Sequence, residues 1–302
     1  IGSVWRADRP QKGRFRQFYQ CDIDILGEPT NLAEIELILA TTTTLGRIGF
    51  KNFKIKINDR RILKAMAAYS GFAEESYDNV FIILDKMDKI GIEGVKEDLI
   101  ANGYDAASVE KYVSLFDGIE KADNGLLYLA DTIAEFLPDE AKDNLLEIIE
   151  SVNGTKNCDF DIVFDPTLVR GMSYYTGTIF EIEVPEFGSC GGGGRYDKMV
   201  GKFTGQETPA CGFSIGFERI ITILMDNNFE IPNQGNSIAF LVEKGIQSEM
   251  LCNIIKEAQK LREEGIKVLV VRMNKNKKFQ KDNLIEQGYK EFKEFYKNPI
   301  VK

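Results

Sequence analysis

From Arg14 to Ile25 the side chains alternate in character. Even positions carry Arg14, Arg16, Phe18, Gln20, Asp22 and Asp24, and odd positions carry Phe15, Gln17, Tyr19, Cys21, Ile23 and Ile25. A period of two predicts one strand, with an apolar odd face and a polar even face. The preceding "VWRAD" alternates too, with Arg6 and Asp8 on one face and Trp5 on the other. Between the two runs lies "RPQKGR", whose Pro10 and Gly13 predict a loop joining antiparallel strands. Phe18 stands out, because a ring on a purely solvated polar face gains nothing.

Beyond the opening hairpin, "NLAEIELILATTTTLGRIG" predicts a helix with an acidic start and "FKIKIND" a strand. Residues from about 60 to 153 change character. Apolar side chains there recur every three to four residues between glycine stops, which predicts a run of helices inserted into the sheet. Strand patterns return at "CDFDIVFD" and "YYTGTIFEIEV", followed by "SCGGGGRYDKMV" and a strand-to-helix unit, "ACGFSIGFERIITILMDNN". The turn-rich "FEIPNQGN" precedes a βαβ pattern: "SIAFLV", a helix from about Gln247 to Glu264, and "IKVLVVRM". That pattern predicts a small separate α/β domain.

Composition narrows the chemistry. The 302 residues contain no histidine, which excludes Ser-His triads, histidine acid/base catalysis and most catalytic zinc sites. Five cysteines (Cys21, Cys158, Cys190, Cys211 and Cys252) are scattered singly, with no CxxC pair. A reduced, cytoplasmic setting is therefore expected, with no metal held by cysteine. No run of apolar residues is long enough to span a membrane, and no leader pattern is present. The net charge of −9 gives no general attraction to nucleic acid, so an RNA partner would need local basic patches.

Several stretches carry candidate chemistry. Arg6, Lys12, Arg14 and Arg16 crowd one hairpin, and arginine's planar fork suits phosphate. From charge alone a solvated turn is the commoner reading; the apolar reverse face and Phe18 favour a ligand platform. In "LVRGMSYYTGTIFE", Arg170 precedes Gly171, and Tyr174 and Tyr175 open a strand, where adjacent side chains take opposite faces. The four glycines Gly191 to Gly194 read either as a close approach of backbone to ligand or as a loose turn. Arg219 falls in the first turn of a helix, a position that a cation occupies favourably only when it shares an anion.

Taken in order, "RADRPQKGRFRQFYQ", "LVRGMSYYTGTIFE", "CGGGGRYDKMVGKF" and "PACGFSIGFERI" resemble the histidyl-tRNA synthetase family of class II aminoacyl-tRNA synthetases. The resemblance covers nearly the whole chain. It implies an α+β fold: a class II antiparallel sheet flanked by helices, with a helical insertion and a C-terminal α/β anticodon-binding-like domain. The implied boundaries are 1–60 and 154–232 for the catalytic domain, 61–153 for the insertion and 236–302 for the C-terminal domain.

By the same resemblance the activity is histidine–tRNA ligation, with ATP as substrate, Mg²⁺ beside it and tRNA-His as acceptor. Arg6 would hold the α-phosphate, Arg14 the outer phosphates and Arg219 the γ-phosphate. Phe18 would stack on adenine beside Asp8, where the family usually has glutamate. Gln20 and Asp24 would meet the amino group of histidine, and Tyr174, Tyr175 and Tyr196 would shape its imidazole pocket. Arg170 would act with Arg6 as a catalytic cation, binding the α-phosphate and the histidine carboxylate. No protein metal ligand is implied. The family's motif 1 and a histidine-gripping loop lie upstream of motif 2, where this sequence begins. A homodimer through that region is therefore expected, and this chain alone is expected to be inactive. The rival expectation is a regulatory subunit of histidine biosynthesis, or a sensor of uncharged tRNA, that lacks activity.

Overall fold

The computed structural model describes residues 1–7, 9–10, 15–169, 174–229 and 236–298. The chain divides into two compact units, Ile1–Asn227 and Asn228–Lys302. The first is built on a seven-stranded sheet in the order β1-β2-β7-β6-β5-β3-β4. Its strands are β1 (Gly2–Trp5), β2 (Gln17–Leu26), β3 (Phe53–Asp59), β4 (Phe160–Phe164), β5 (Thr178–Val184), β6 (Gly188–Arg195) and β7 (Ala210–Ile215). All neighbours run antiparallel except β3 and β4.

Helix α1 (Leu32–Arg47) follows β2 and buries Ala33, Leu37, Ile38 and Leu45. Its four consecutive threonines are poor helix formers, yet the helix continues through them. Thr41, Thr42 and Thr44 each return a hydroxyl hydrogen bond to a carbonyl four residues back, at 2.7–2.8 Å. Two of those hydroxyls could not otherwise be buried at so little cost.

Between β3 and β4 the chain forms α2 (Arg60–Ser70), α3 (Tyr77–Leu84), α4 (Met87–Ala101), α5 (Ala106–Lys121), α6 (Gly125–Thr132) and α7 (Asp139–Thr155). Asp59, fully buried, caps α2 by accepting from the Arg61 amide at 2.8 Å, and Gly71 stops that helix at φ 92°. The buried residues of these helices and of the sheet belong to one continuous hydrophobic cluster. Helix α8 (Asp197–Thr204) follows β6, and α9 (Phe217–Asp226) follows β7.

Two local expectations change. The odd face of β2 is not fully covered: Ile23 is exposed, and Cys21 and Ile25 are half-buried. β2 lies one strand from the sheet edge, and β1 beyond it is only four residues long. Tyr174 and Tyr175 precede β5 rather than opening it, because the strand starts at Thr178. They do not take opposite faces; their rings lie 4.6 Å apart, centroid to centroid.

The second unit holds three parallel strands in the order β10-β8-β9, namely β8 (Ser237–Val242), β9 (Lys267–Arg272) and β10 (Glu291–Phe295). Helices α10 (Ser248–Glu263) and α11 (Lys277–Glu286) connect them. Phe240 and Val242 pack with Ile254 and Ala258 of α10, while Ala239 and Leu241 pack with Leu284 of α11. A strand buried on both faces explains the uninterrupted apolar run of "SIAFLV". No helix among the described residues is long and apolar enough to cross a membrane.

Candidate active site

The centre of the large sheet floors a cavity of about 740 Å³. Its floor is the trio β2, β7 and β6, paired so that Asp24 lies opposite Gly212, and Gly194 opposite Gly212 on the other side. The glycines are regular strand here, not a turn. A Cβ on Gly193 would fall 1.9 Å from the Gly212 carbonyl, and one on Gly194 would fall 2.6 Å from the Thr178 carbonyl. A Cβ on Gly212 would meet the Asp24 carboxylate at 1.9 Å. Absent side chains therefore set both the strand spacing and the depth of the floor.

Of the residues expected to act together, Arg6, Phe18, Gln20, Asp24, Tyr174, Tyr175, Tyr196 and Arg219 all border this cavity. Asp8, Arg14 and Arg170 lie outside the described residues, as does Lys12.

Arg6 follows β1, with its amide donating to the Arg16 carbonyl at 2.8 Å. Its guanidinium lies 5.1 Å from the centre of the Phe18 ring, and its Nη2 donates to Gln20 Oε1 at 3.1 Å. The Gln20 amide in turn donates to Asp22 and, at 3.2 Å, to the Ser214 hydroxyl. A cation–π contact and a hydrogen bond together fix where the Arg6 charge sits.

At the start of α9, Arg219 donates to the Ser189 carbonyl, and Glu218 accepts from the Tyr19 amide at 3.1 Å. The Glu218 contact ties the helix to β2. Cys190, also on the cavity wall, has its thiol pushed up to about 11, mainly by burial, with the Arg219 charge opposing. It is no nucleophile at neutral pH.

The side of the cavity around Tyr196 is aromatic and acidic. The Tyr196 phenol donates to Asp24 Oδ1, and its ring meets Tyr174 edge-on at 6.1 Å. Burial first, then Asp24, raises the phenol well above its ordinary value, so it stays a donor. Next to it in sequence, Arg195 is nearly buried and forks onto Glu34 at 2.7 and 2.6 Å. It also donates to the carbonyls of Glu28 and Thr30, locking the end of β6 to the segment entering α1.

Sequence reasoning passed over Glu218, Ser214, Gly212 and Lys89, which also border the cavity. Glu218 sat beside Arg219 and could have been found there. Gly212 shows its purpose only through its cross-strand partner. Lys89 comes from the helical stretch, and no local pattern marks it.

An antiparallel sheet with a bare glycine floor carries one arginine bonded beside a hairpin and another at a helix N-terminus, the arrangement that the resemblance to class II aminoacyl-tRNA synthetases implies. The chain belongs to the histidyl-tRNA synthetase family: residues 1–220 match the family profile described as "Histidyl-tRNA synthetase". It is 44% identical over 298 residues to the histidine–tRNA ligase of Leifsonia xyli subsp. xyli, covering 97% of this chain and 67% of that protein. It is 46% identical over 238 residues to the probable histidine–tRNA ligase of Tropheryma whipplei (strain Twist), covering 75% of this chain and 55% of that one. The crystal structure of histidyl-tRNA synthetase from Nostoc sp. PCC 7120 matches with a TM-score of 0.74 at 26% identity, over 95% of this chain and 67% of that one. The chain thus spans between about half and two thirds of the length of these relatives.

Proposed function

We propose that the protein carrying this chain is a histidine–tRNA ligase. The observation that carries the reading is one cavity bordered by two fixed cations, Arg6 and Arg219, and by a carboxylate bonded to a phenol, Asp24 with Tyr196. A triphosphate suits the first pair and an amino acid's ammonium and ring suit the second.

In the first step an oxygen of the histidine carboxylate attacks the α-phosphorus of ATP. The bond to the β-phosphate oxygen breaks, leaving histidyl-adenylate and pyrophosphate. Arg6 and Arg170 balance charge developing on the α-phosphate, Arg170 also meeting the histidine carboxylate, while Arg14 meets the outer phosphates and Arg219 holds the γ-phosphate. Phe18 carries adenine, with Asp8 at its amino group. Gln20 and Asp24 hold the amino group of histidine, and Tyr174, Tyr175 and Tyr196 enclose its ring. Fixing these partners beforehand is the source of rate, because phosphoryl chemistry asks the protein for position and charge. In the second step the terminal ribose hydroxyl of tRNA-His attacks the acyl carbon. The bond to the adenylate oxygen breaks, AMP leaves with the electron pair, and the hydroxyl proton is released.

Mg²⁺ would arrive with ATP and neutralise its phosphates. Among the described residues no group of three acidic or thiol side chains lies close enough together to hold an ion. A homodimer formed through upstream residues and a cytoplasmic setting complete the reading. The regulatory alternative draws no support from a cavity that keeps both Arg6 and Arg219.

Histidine-dependent ATP–pyrophosphate exchange on the full-length protein tests it. Exchange that other amino acids support equally, or no exchange at all, rejects the ligase.

A further inference from the structure

Helices α2 to α7 contribute one residue to the cavity wall among the described residues, Lys89. It lies in the first turn of α4, two residues before Gly91, where φ 68° breaks the helical path. This turn is anchored. Met87 packs against the main core, and Leu84, Asp85, Met87 and Asp88 line a second cavity of about 250 Å³ that shares Tyr175 with the first. Lys89 therefore stands on the Tyr174–Tyr175 side of the site, the end read above as the amino-acid end.

Its electrostatic state differs from that of the other cations there. Arg6 donates to Gln20 and Arg219 to Ser189. Three residues before it, Lys86 is committed to Asp98 at 2.8 Å. Lys89 is exposed and has no ion pair or hydrogen-bonded side-chain partner among the described residues. Preorganised cations suit a transition state that forms at fixed coordinates. An exposed ammonium on a four-carbon stem instead suits an anion that arrives from solvent, meets the rim and leaves again. Asp85 and Asp88 flank the same turn and would repel an anion from the second cavity, so they confine any anionic contact to the Lys89 side. The chain as a whole carries −9, so a polyanion entering here needs a discrete cation at the rim.

We propose that Lys89 meets a backbone phosphate of the 3′-terminal nucleotides of the RNA during acyl transfer, and takes no part in holding the triphosphate. The proposal rests on the aminoacylation reading above.

The test uses the full-length protein with Lys89→Ala and Lys89→Arg, and measures the two steps separately. In pyrophosphate exchange, Lys89→Ala should stay within about twofold of the parent in both kcat and KM for ATP. In single-turnover transfer from preformed adenylate at subsaturating tRNA, it should be slower by about fivefold or more. The slope of log KM for tRNA against log salt should fall by about 0.7, the change expected when one phosphate of a single strand is no longer neutralised. Lys89→Arg should restore both transfer and slope. A raised KM for ATP in exchange would assign Lys89 to the triphosphate and overturn the proposal. Unchanged transfer, or slower transfer with an unchanged salt slope, would overturn it as well. If the parent shows no histidine-dependent exchange, the ligase reading fails on the parent alone and takes the proposal with it.

Discussion

Asp24 has one carboxylate oxygen bonded to the Tyr196 phenol and sits over Gly212, where no Cβ could fit. Its neighbours thus fix its direction, and its remaining oxygen is available to a ligand's ammonium group. Asp24→Asn keeps an acceptor for Tyr196 and removes the charge, so it isolates the electrostatic contribution. Histidine binding should weaken by about 1.5–3 kcal/mol, the worth of a charge-assisted hydrogen bond. The KM for ATP should change little. A solvated strand residue would instead move both by less than about 0.5 kcal/mol. Separate Michaelis constants for histidine and ATP in the full-length protein decide the matter; a rise for ATP alone would mean that the strand face serves the other ligand. Here the alternation of β2 placed Phe18, Gln20 and Asp24 on one face, and all three border the cavity, although Phe15 and Tyr19 of the odd set border it too. The hydrogen bond to Tyr196 was not legible, since it joins positions 172 residues apart.

Strands β6 and β7 show what an element does that its residues cannot announce. In isolation "CGGGGR" could be strand or loose turn; pairing on both sides settles it as strand. Gly193→Ala would force its Cβ to within 1.9 Å of the Gly212 carbonyl and 2.8 Å of Phe213 Cα, both backbone atoms that cannot turn aside. It should destabilise by about 1–3 kcal/mol or more, as overpacking does. Gly177→Ala, whose Cβ would come no closer than 3.4 Å to the Arg195 side chain, an ordinary van der Waals contact, should stay within about 0.5 kcal/mol. Urea unfolding of both variants checks the contrast, and equal losses would mean that the strand spacing is not what the glycines protect. In the second unit, β10 is rich in charge yet forms a strand beside β8, because Glu294 is held by Lys281, Lys277 and Tyr296. Those partners, Lys281 first, hold its carboxyl at about 2 rather than the ordinary 4.5. A depressed acid stabilises the fold above its unfolded pKa, and the contribution is lost as pH falls through the folded value. The protection factors of β10 amides, taken against the intrinsic exchange rate at each pH, should therefore fall between about pH 4.5 and 2, and Glu294→Gln should flatten that dependence while lowering protection at neutral pH. An unchanged slope in the variant would place the acid sensitivity elsewhere.

At the scale of the whole chain, legibility divides along the line between local pattern and long-range assembly. Strand and helix periodicity, with the glycine and arginine motifs, carried the α+β architecture of the large sheet. Lys89 escaped because its place at the cavity depends on how a helical stretch packs onto a sheet distant in sequence. Charge adds something that neither pattern supplies. The chain is acidic overall, yet basic residues outnumber acidic ones over 228–302. Every described residue around the large cavity lies before 228, and the two units bury separate hydrophobic clusters. If the proposed ligase reading holds, chemistry on ATP belongs to the first unit, and the basic excess of the second unit is the larger source of attraction for RNA. Deleting residues 228–302 from the full-length protein should leave histidine-dependent exchange within about threefold of the parent. The same deletion should raise KM for tRNA by about tenfold or more and make the remaining binding less sensitive to salt, because the basic unit no longer neutralises phosphates. Circular dichroism and thermal unfolding establish that the truncated protein is folded before either rate is compared. An unchanged KM for tRNA would show that the basic excess of the second unit does not meet RNA. Lost exchange in a folded protein would show that the first step draws on residues beyond the cavity described.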